Sequence, residues 1–252
     1  MPELSSTSPD ALAPFARTID LLGPEGFDRL RRAFVAVIGL GGVGSHAAAA
    51  LVRAGVGALR LVDFDKVSAT SLNRHACATL RDVGRAKAAV VSDYLAAVSS
   101  ASRVEAHEAF FHVETADALL AGPPDFVIDA IDSVTPKAAL LRACVERSIA
   151  VLSCMGASAR TDPMALRFAD LAETSVCPLA RAVREKLKHH GIRGGFTALY
   201  SIEPPRPPLP PDLAEETLRR GRVRRRLPSL STMPGIFGYA AAGHVIQKLA
   251  GA

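Results

Sequence analysis

Four acids, two cations and four glycines fall at spacings that suit chemistry on a phosphate. Asp63 and Asp65 make one carboxylate pair and Asp129 and Asp132 another. Asn73-Arg74 lies between them, and Lys87 closes the pattern Gly84-x-x-Lys87. Gly39, Gly41, Gly42 and Gly44 precede them all. Glycines let a backbone approach an anion without a Cβ clash. A carboxylate suits Mg²⁺, and Lys and Arg offset the charge on a phosphoryl group during displacement. Hydride transfer needs a nicotinamide pocket and often a proton-shuttling His or Tyr. It does not need cations aimed at phosphates. The glycines alone would suggest a dinucleotide cradle; the acids and cations argue for chemistry on the phosphates themselves. Each also has a plainer reading. Asp63 could cap a turn, Lys87 could be a surface helix lysine, and Asp129 could be a loop or capping acid.

The elements that must position these residues are legible. Phe34–Ile38 is apolar without a break, as in a parallel strand buried on both faces. The glycines follow, then an alanine-rich helix over 43–54, ended by Gly55-Val-Gly57. A helix start offers unpaired N–H groups and about half a positive charge to an anion. The second strand, 58–63, ends in an acid 19 positions after Gly44. That completes a βαβ unit with a carboxylate near a nucleotide ribose. A helix over 85–98 carries Lys87. Strands follow at 103–107, 126–132 and 150–154, with a helix over 136–147 that Ser133 or Thr135 can cap. Alternating strands and helices specify an α/β class: a Rossmann-like, doubly wound, mostly parallel sheet. Ligands of such sheets sit outside the carboxyl ends of the strands. Asp63, Asp65, Asn73, Arg74, Lys87 and Asp132 are expected to converge there.

After Gly156 the rhythm changes to a mixed extension: strands at 164–169 and 197–202 around a helix over 178–190. Leu179, Val183 and Leu187 share one face of that helix, and Arg181, Arg184 and Lys188 the opposite one. Six prolines in 204–211 exclude helix or central strand. A small-residue helix is expected over 235–249, and a short one over 25–31. Residues 1–14 read as a flexible tail without a basic n-region. Residues 15–252 read as a single domain with 204–234 as a Pro/Arg-rich loop.

Nearly half of the 252 residues, 49%, are hydrophobic, yet no apolar run approaches the ~20 residues of a membrane span. Cys77, Cys144, Cys154 and Cys177 include no Cys-x-x-Cys pair, which disfavours structural zinc and fits reduced cytoplasmic thiols. The net charge of +5 is concentrated late, because residues 203–252 hold 8 Lys/Arg against 4 Asp/Glu. Most of the excess is Arg219, Arg220, Arg222, Arg224, Arg225 and Arg226. Such a run suits an anionic partner such as RNA, or is a solvated loop.

Gly39-x-Gly-Gly-x-Gly44, Asp63-x-Asp65-x-Val67, Asn73-Arg74, Gly84-x-x-Lys87 and Asp129-Ala-Ile-Asp132 resemble the ubiquitin-activating-like superfamily. Its members adenylate a carboxylate with ATP. Phe15-x-Arg17, Leu22-Gly23-x-x-Gly26, Ser133-Val-x-Pro136-Lys137, Met155-Gly156-Ala157, Asp162-Pro163 and Pro178-Leu-Ala-Arg181 are similar to its tRNA threonylcarbamoyladenosine dehydratase branch. The resemblance covers about residues 15–250. It implies that Gly39, Gly41, Gly42 and Gly44 hold ATP phosphates and that Asp63 binds the ribose, with Asp65 beside it. It also implies that Asn73, Arg74 and Lys87 grip the triphosphate and that Asp132 holds Mg²⁺. Arg17 is implied to reach the second active site of a homodimer. ATP and Mg²⁺ are the implied cofactors, with room for a monovalent cation, and the implied partner is a tRNA carrying threonylcarbamoyladenosine. The enzyme needs no nucleophile of its own, because the cyclisation is intramolecular.

Some members of the branch are linked to sulfur-transfer proteins through a cysteine near the chain's end; this sequence has none after Cys177. The main alternative is an adenylyltransferase for a ubiquitin-like sulfur carrier. Many of those carry paired Cys-x-x-Cys ligands, absent here. A non-catalytic nucleotide scaffold would not need Arg74, Lys87 and Asp132 together. The arginine run and the polar face of the 178–190 helix both suit a tRNA phosphate backbone.

Overall fold

The computed structural model describes residues 12–207, 209 and 227–251. Its centre is β1 (Phe34–Ile38), which pairs in parallel with β2 (Ala58–Val62) on one side and β4 (Phe126–Asp129) on the other. β3 (Arg103–His107) flanks β2, and β5 (Ala150–Cys154) flanks β4. β7 (Thr197–Ser201) adds in parallel to β5, and β6 (Leu166–Asp170) lies antiparallel at the edge. The order is β3-β2-β1-β4-β5-β7-β6. The chain moves outward from β1 to β3, then resumes at β4 on the other side. That reversal opens a crevice at the carboxyl ends of β1 and β4, where ligands of such sheets bind.

Alternation along β1 builds two cores. Val35 and Val37 face one layer with Leu51, Val52, Phe237 and Val245; Ala36 and Ile38 face the other with Leu140, Leu141, Val183 and Leu187. The first layer holds α1 (Ala16–Arg32), α2 (Gly42–Ala54), α3 (Lys87–Val98) and α7 (Thr232–Ala250). The second holds α4 (Ala116–Leu119), α5 (Val134–Glu146) and α6 (Pro178–Lys188). No helix among the described residues is long and apolar enough to cross a membrane.

Several boundaries differ from expectation, for local reasons. The helix expected over 25–31 begins at Ala16 and is broken by Gly23, at φ 72° and ψ 163°, followed by Pro24. Proline at the start of the second segment loses no helical bond, since those N–H groups have no partner within the helix. α7 starts at Thr232, because Pro234 fits its first turn for the same reason; the expected 204–234 loop therefore ends at Ser231. Pro14 lies in the helical turn Ala13–Phe15, whose Phe15 is buried. β6 starts at Leu166 because Pro163–Ala165 forms a turn, whose Met164 N–H is accepted by Asp162 at 2.8 Å. Ser133 holds the N-cap position of α5 but makes no side-chain capping bond. All four cysteines are free and buried. Burial pushes the thiols of Cys77, Cys144 and Cys154 up to about 12, which leaves them inert. The arginines of 219–226 lie outside the described residues.

A candidate nucleotide site at the carboxyl ends of the central strands

The glycine turn leaves β1 with Gly39 N–H donated to Val62 O at 2.8 Å. Gly39 is at φ +92°, and a Cβ on Gly44 would stand 1.8 Å from Gly39 O. No other residue fits at 44 without moving the turn. A Cβ on Gly41 would meet nothing within 4 Å, so this backbone faces open space. Gly41 is also the N-cap of α2, with no side-chain capping bond. The first-turn N–H groups remain available to an anion.

Asp63 directly follows β2 and ties that strand to the turn. Its Oδ2 accepts Leu40 N–H at 2.6 Å and its Oδ1 accepts Asp65 N–H at 2.8 Å. Burial pushes its pKa up, opposed by the charge of Lys87 and by the two amides. Lys87 is the first residue of α3, and its Nζ lies 2.9 Å from Asp65 Oδ2. Lys87 N–H also donates to Asp65 O at 3.0 Å. Asp65 thus holds Lys87 at two points, the ammonium by its carboxylate and the backbone N–H by its carbonyl.

Arg74 lies across the turn: its Cγ is 3.2 Å from where a Gly42 Cβ would stand. Its Nη1 donates to Thr70 O and to Asn73 Oδ1, each at 2.9 Å. Asn73 Nδ2 donates to Ser229 O at 3.0 Å. Below them His75 is buried. Its Nδ1 accepts the N–H groups of Cys77 and Ala78 at 3.2 and 3.1 Å, so the proton belongs on Nε2. Nε2 is buried beside the backbone of Leu40 without a full hydrogen bond. Burial foremost, then the charge of Lys87, lowers the pKa of His75 to about 4. A neutral imidazole therefore packs between the glycine turn and the Asn73-Arg74 loop.

Beyond β4, Ala130 N–H donates to Ile38 O at 2.8 Å, and Ala130 O is 2.8 Å from a Gly39 Cβ position. Asp132 follows, exposed, with Ser133 Oγ donating to its Oδ1 at 3.1 Å. Asp129 is fully buried and bonded to Lys137, which removes it from direct contact with a ligand. Among the described residues, no group of three or more His, Cys, Asp or Glu could hold a metal. Gly39, Gly41, Gly42, Gly44, Asp63, Asp65, Asn73, Arg74, Lys87 and Asp132 all gather on this rim. Arg17 does not. Phe15, two residues before it, packs beside Gly55 at the opposite end of α2, which spans ~20 Å.

The rim continues past β5 through residues that spacing did not reveal. Arg160 Nε donates to Glu203 O at 2.9 Å, and its Nη1 donates to Gly156 O. Ala159 N–H donates to Pro228 O at 2.7 Å, next to the Ser229 carbonyl that holds Asn73. The helix expected to show Arg184 to solvent instead turns it inward, donating to Thr174 O at 2.8 Å. Arg181 and Lys188 do stand exposed. His75 and Arg160 carried no signal beyond being charged or titratable, and Lys137 entered only as part of a motif with no role attached; burial exposes what each does.

The ThiF family profile matches residues 15–252. The chain is 35% identical over 241 residues to the tRNA threonylcarbamoyladenosine dehydratase of Bacillus subtilis, covering 94% of this chain and 95% of that protein. It is 37% identical over 249 residues to tRNA threonylcarbamoyladenosine dehydratase 2 of Saccharomyces cerevisiae. That match covers 92% of this chain but 55% of the yeast protein, so the chain spans about half of that relative. Its fold matches the crystal structure of Escherichia coli tRNA N6-threonylcarbamoyladenosine dehydratase in complex with ATP, with a TM-score of 0.87 at 31% identity, over 98% of this chain and 97% of that one. On its glycine turn, its acid and cation spacing, its sheet order and these likenesses, the chain belongs to the ThiF family.

Proposed function

We propose that this chain is an ATP-dependent enzyme that dehydrates threonylcarbamoyladenosine in tRNA to its cyclic form. The observation that carries the reading is the rim itself: open backbone at Gly41 beside Arg74, Lys87 and the exposed Asp132. The names of the dehydratase relatives, and the ATP in the E. coli structure, supply the nucleotide and the substrate class.

The glycine turn and the start of α2 receive the phosphates. Asp63 keeps acceptor capacity for the ribose hydroxyls beyond the two amides it already holds. Asn73, Arg74 and Lys87 grip the triphosphate, and Asp65 aims Lys87. The donor set at Asp132 fits Mg²⁺, which takes one or two carboxylates plus phosphate oxygens and water rather than an all-protein cage. There it would neutralise charge on the phosphates. Arg74 and Lys87 stabilise charge as the threonyl carboxylate displaces pyrophosphate from the α-phosphorus. The ureido group of the same side chain then closes on the activated carbonyl and AMP leaves. Holding both groups in one geometry supplies the rate, and the chain needs no nucleophile. The inert thiols agree with that.

Residues 15–252 act as one adenylating unit, in a homodimer where Arg17 reaches the partner's site. The chain works in the cytoplasm, and a monovalent cation beside the triphosphate is compatible with the reading. Exposed Arg181, Lys188 and Arg193 on and after α6, together with the 219–226 arginines, receive the tRNA backbone.

The test is to incubate the protein with ATP–Mg²⁺ and threonylcarbamoylated tRNA and weigh the modified nucleoside. Loss of one water is expected. An unchanged mass, with pyrophosphate exchange driven by a ubiquitin-like carrier, would overturn the reading in favour of a sulfur-carrier adenylyltransferase.

A further inference from the structure

Lys137 and Asp129 form an ion pair at 2.6 Å with neither side chain exposed. The ammonium meets three acceptors: Asp129 Oδ2 at 2.6 Å, Cys154 O at 2.9 Å and Ser153 Oγ at 3.3 Å. Ser153 Oγ in turn donates to Asp129 Oδ2 at 2.5 Å. Lys137 comes from α5, Asp129 ends β4, and Ser153 and Cys154 end β5. One buried charge therefore joins three elements at the rim.

Such a pair is a poor source of stability, because desolvation offsets most of its attraction and packed apolar groups often serve as well. What it does supply is fixed geometry. The second oxygen of Asp129 accepts Ile131 N–H at 3.1 Å. Ala130 is pinned to Ile38 and seated against Gly39, and Asp132 follows. The turn that carries Asp132 and backs the glycine cradle thus hangs from the Lys137 hub.

We infer that Lys137 is a positioning residue: through Asp129 it sets the 130–132 turn, and with it the Asp132 carboxylate and the back wall of the phosphate cradle. The inference rests on the reading that phosphates bind there. A purely structural role would be met by any filling of the same volume.

The test is the double variant Lys137→Met with Asp129→Asn, which removes both charges together and keeps an Oδ1 at 129 to accept the Ile131 N–H. The full chain is used, with ATP–Mg²⁺ as the probe. The variant is expected to melt close to the parent. Exchange of the Ile131 amide is expected to rise about tenfold, since the opening is local. Affinity for ATP–Mg²⁺ is expected to fall about tenfold or more, as when partners behind a ligand are removed. Parental exchange at Ile131 would overturn the inference, as would parental ATP–Mg²⁺ affinity despite faster exchange. If the double variant fails to fold, Ser153→Ala decides. It removes one bond to Asp129 and should raise Ile131 exchange and lower ATP–Mg²⁺ affinity, each by roughly two- to fivefold, about one hydrogen bond. No change in either readout would overturn the inference. If the parent itself binds no ATP–Mg²⁺, the nucleotide reading fails instead, and the Ile131 exchange, measured without nucleotide, still decides what Lys137 holds.

Discussion

The two halves of the sheet's carboxyl edge are built by different means. On the β2–β1–β4 half, most charged groups are held by residues near in the chain, Asp63 by Leu40 and Asp65, Lys87 by Asp65 and Arg74 by Asn73, although Asn73 itself reaches Ser229, 156 positions on. On the β5–β7–β6 half, the loop after β5 is held from far away, by Glu203, Arg206 and Pro228. A local, charge-dense half can fix a nucleotide on its own. A half assembled from distant segments can vary its outline while the nucleotide half stays constant. On the function proposed above, the first half would take ATP and the second the tRNA.

Lys87→Ala attacks the first half directly. Turnover of threonylcarbamoylated tRNA should fall about 10²–10³-fold, roughly 3–4 kcal/mol of transition-state stabilisation, with the melting temperature near the parent's. Single-turnover kinetics read this, and full activity would remove Lys87 from the chemistry.

His75 tests how rigidly that half is set. Burial holds its pKa at about 4 against 6.5 for the free group. Between those values the unfolded chain binds a proton that the folded chain refuses. Stability from this group is complete above about pH 6.5 and is lost as pH falls toward 4, by up to roughly 3 kcal/mol. Urea unfolding at pH 7 and pH 4.5 should show a smaller drop in His75→Gln than in the parent. Parallel drops would mean that the imidazole is not neutral when folded.

Arg160→Met strikes the second half. It strands the carbonyls of Gly156 and Glu203, at a cost of about 2 kcal/mol in stability. The comparison predicts that ATP affinity, by calorimetry, stays within about twofold, under one hydrogen bond's worth, while KM for the tRNA rises. An equal loss of ATP affinity would merge the halves.

The smallest effect is reserved for Arg181, Lys188 and Arg193, all exposed. Changing the three to Gln should weaken tRNA binding and lower its salt slope by about 2–3, near 0.9 per lost phosphate contact. ATP binding should not change. An unaltered slope would move the RNA to another surface.

The same contrast explains what the residues alone could reveal. The strand, glycine turn and helix, with Asp63 at its fixed distance, form one local unit, and spacing was enough to assemble them. Arg74 and Lys87 followed because each comes after a strand-end region on the nucleotide side. Arg160 meets a carbonyl 43 positions away and Asn73 one 156 positions away, and no local rule connects such pairs. Arg184 misled because helical periodicity gives a face but not whether a long side chain folds back onto a neighbouring turn. The early start of α7 was hidden by Pro234, which reads as a breaker unless its place in the first turn is known.

Ala159 receives a bond at each end: its carbonyl accepts Arg206 N–H at 2.8 Å, and its N–H donates to Pro228 O at 2.7 Å. The chain therefore departs and returns at a single residue, as if through one clasp. A displacement of that one peptide would therefore carry the Glu203–Arg206 and Pro228–Ser229 segments together, and Asn73 with them through its bond to Ser229.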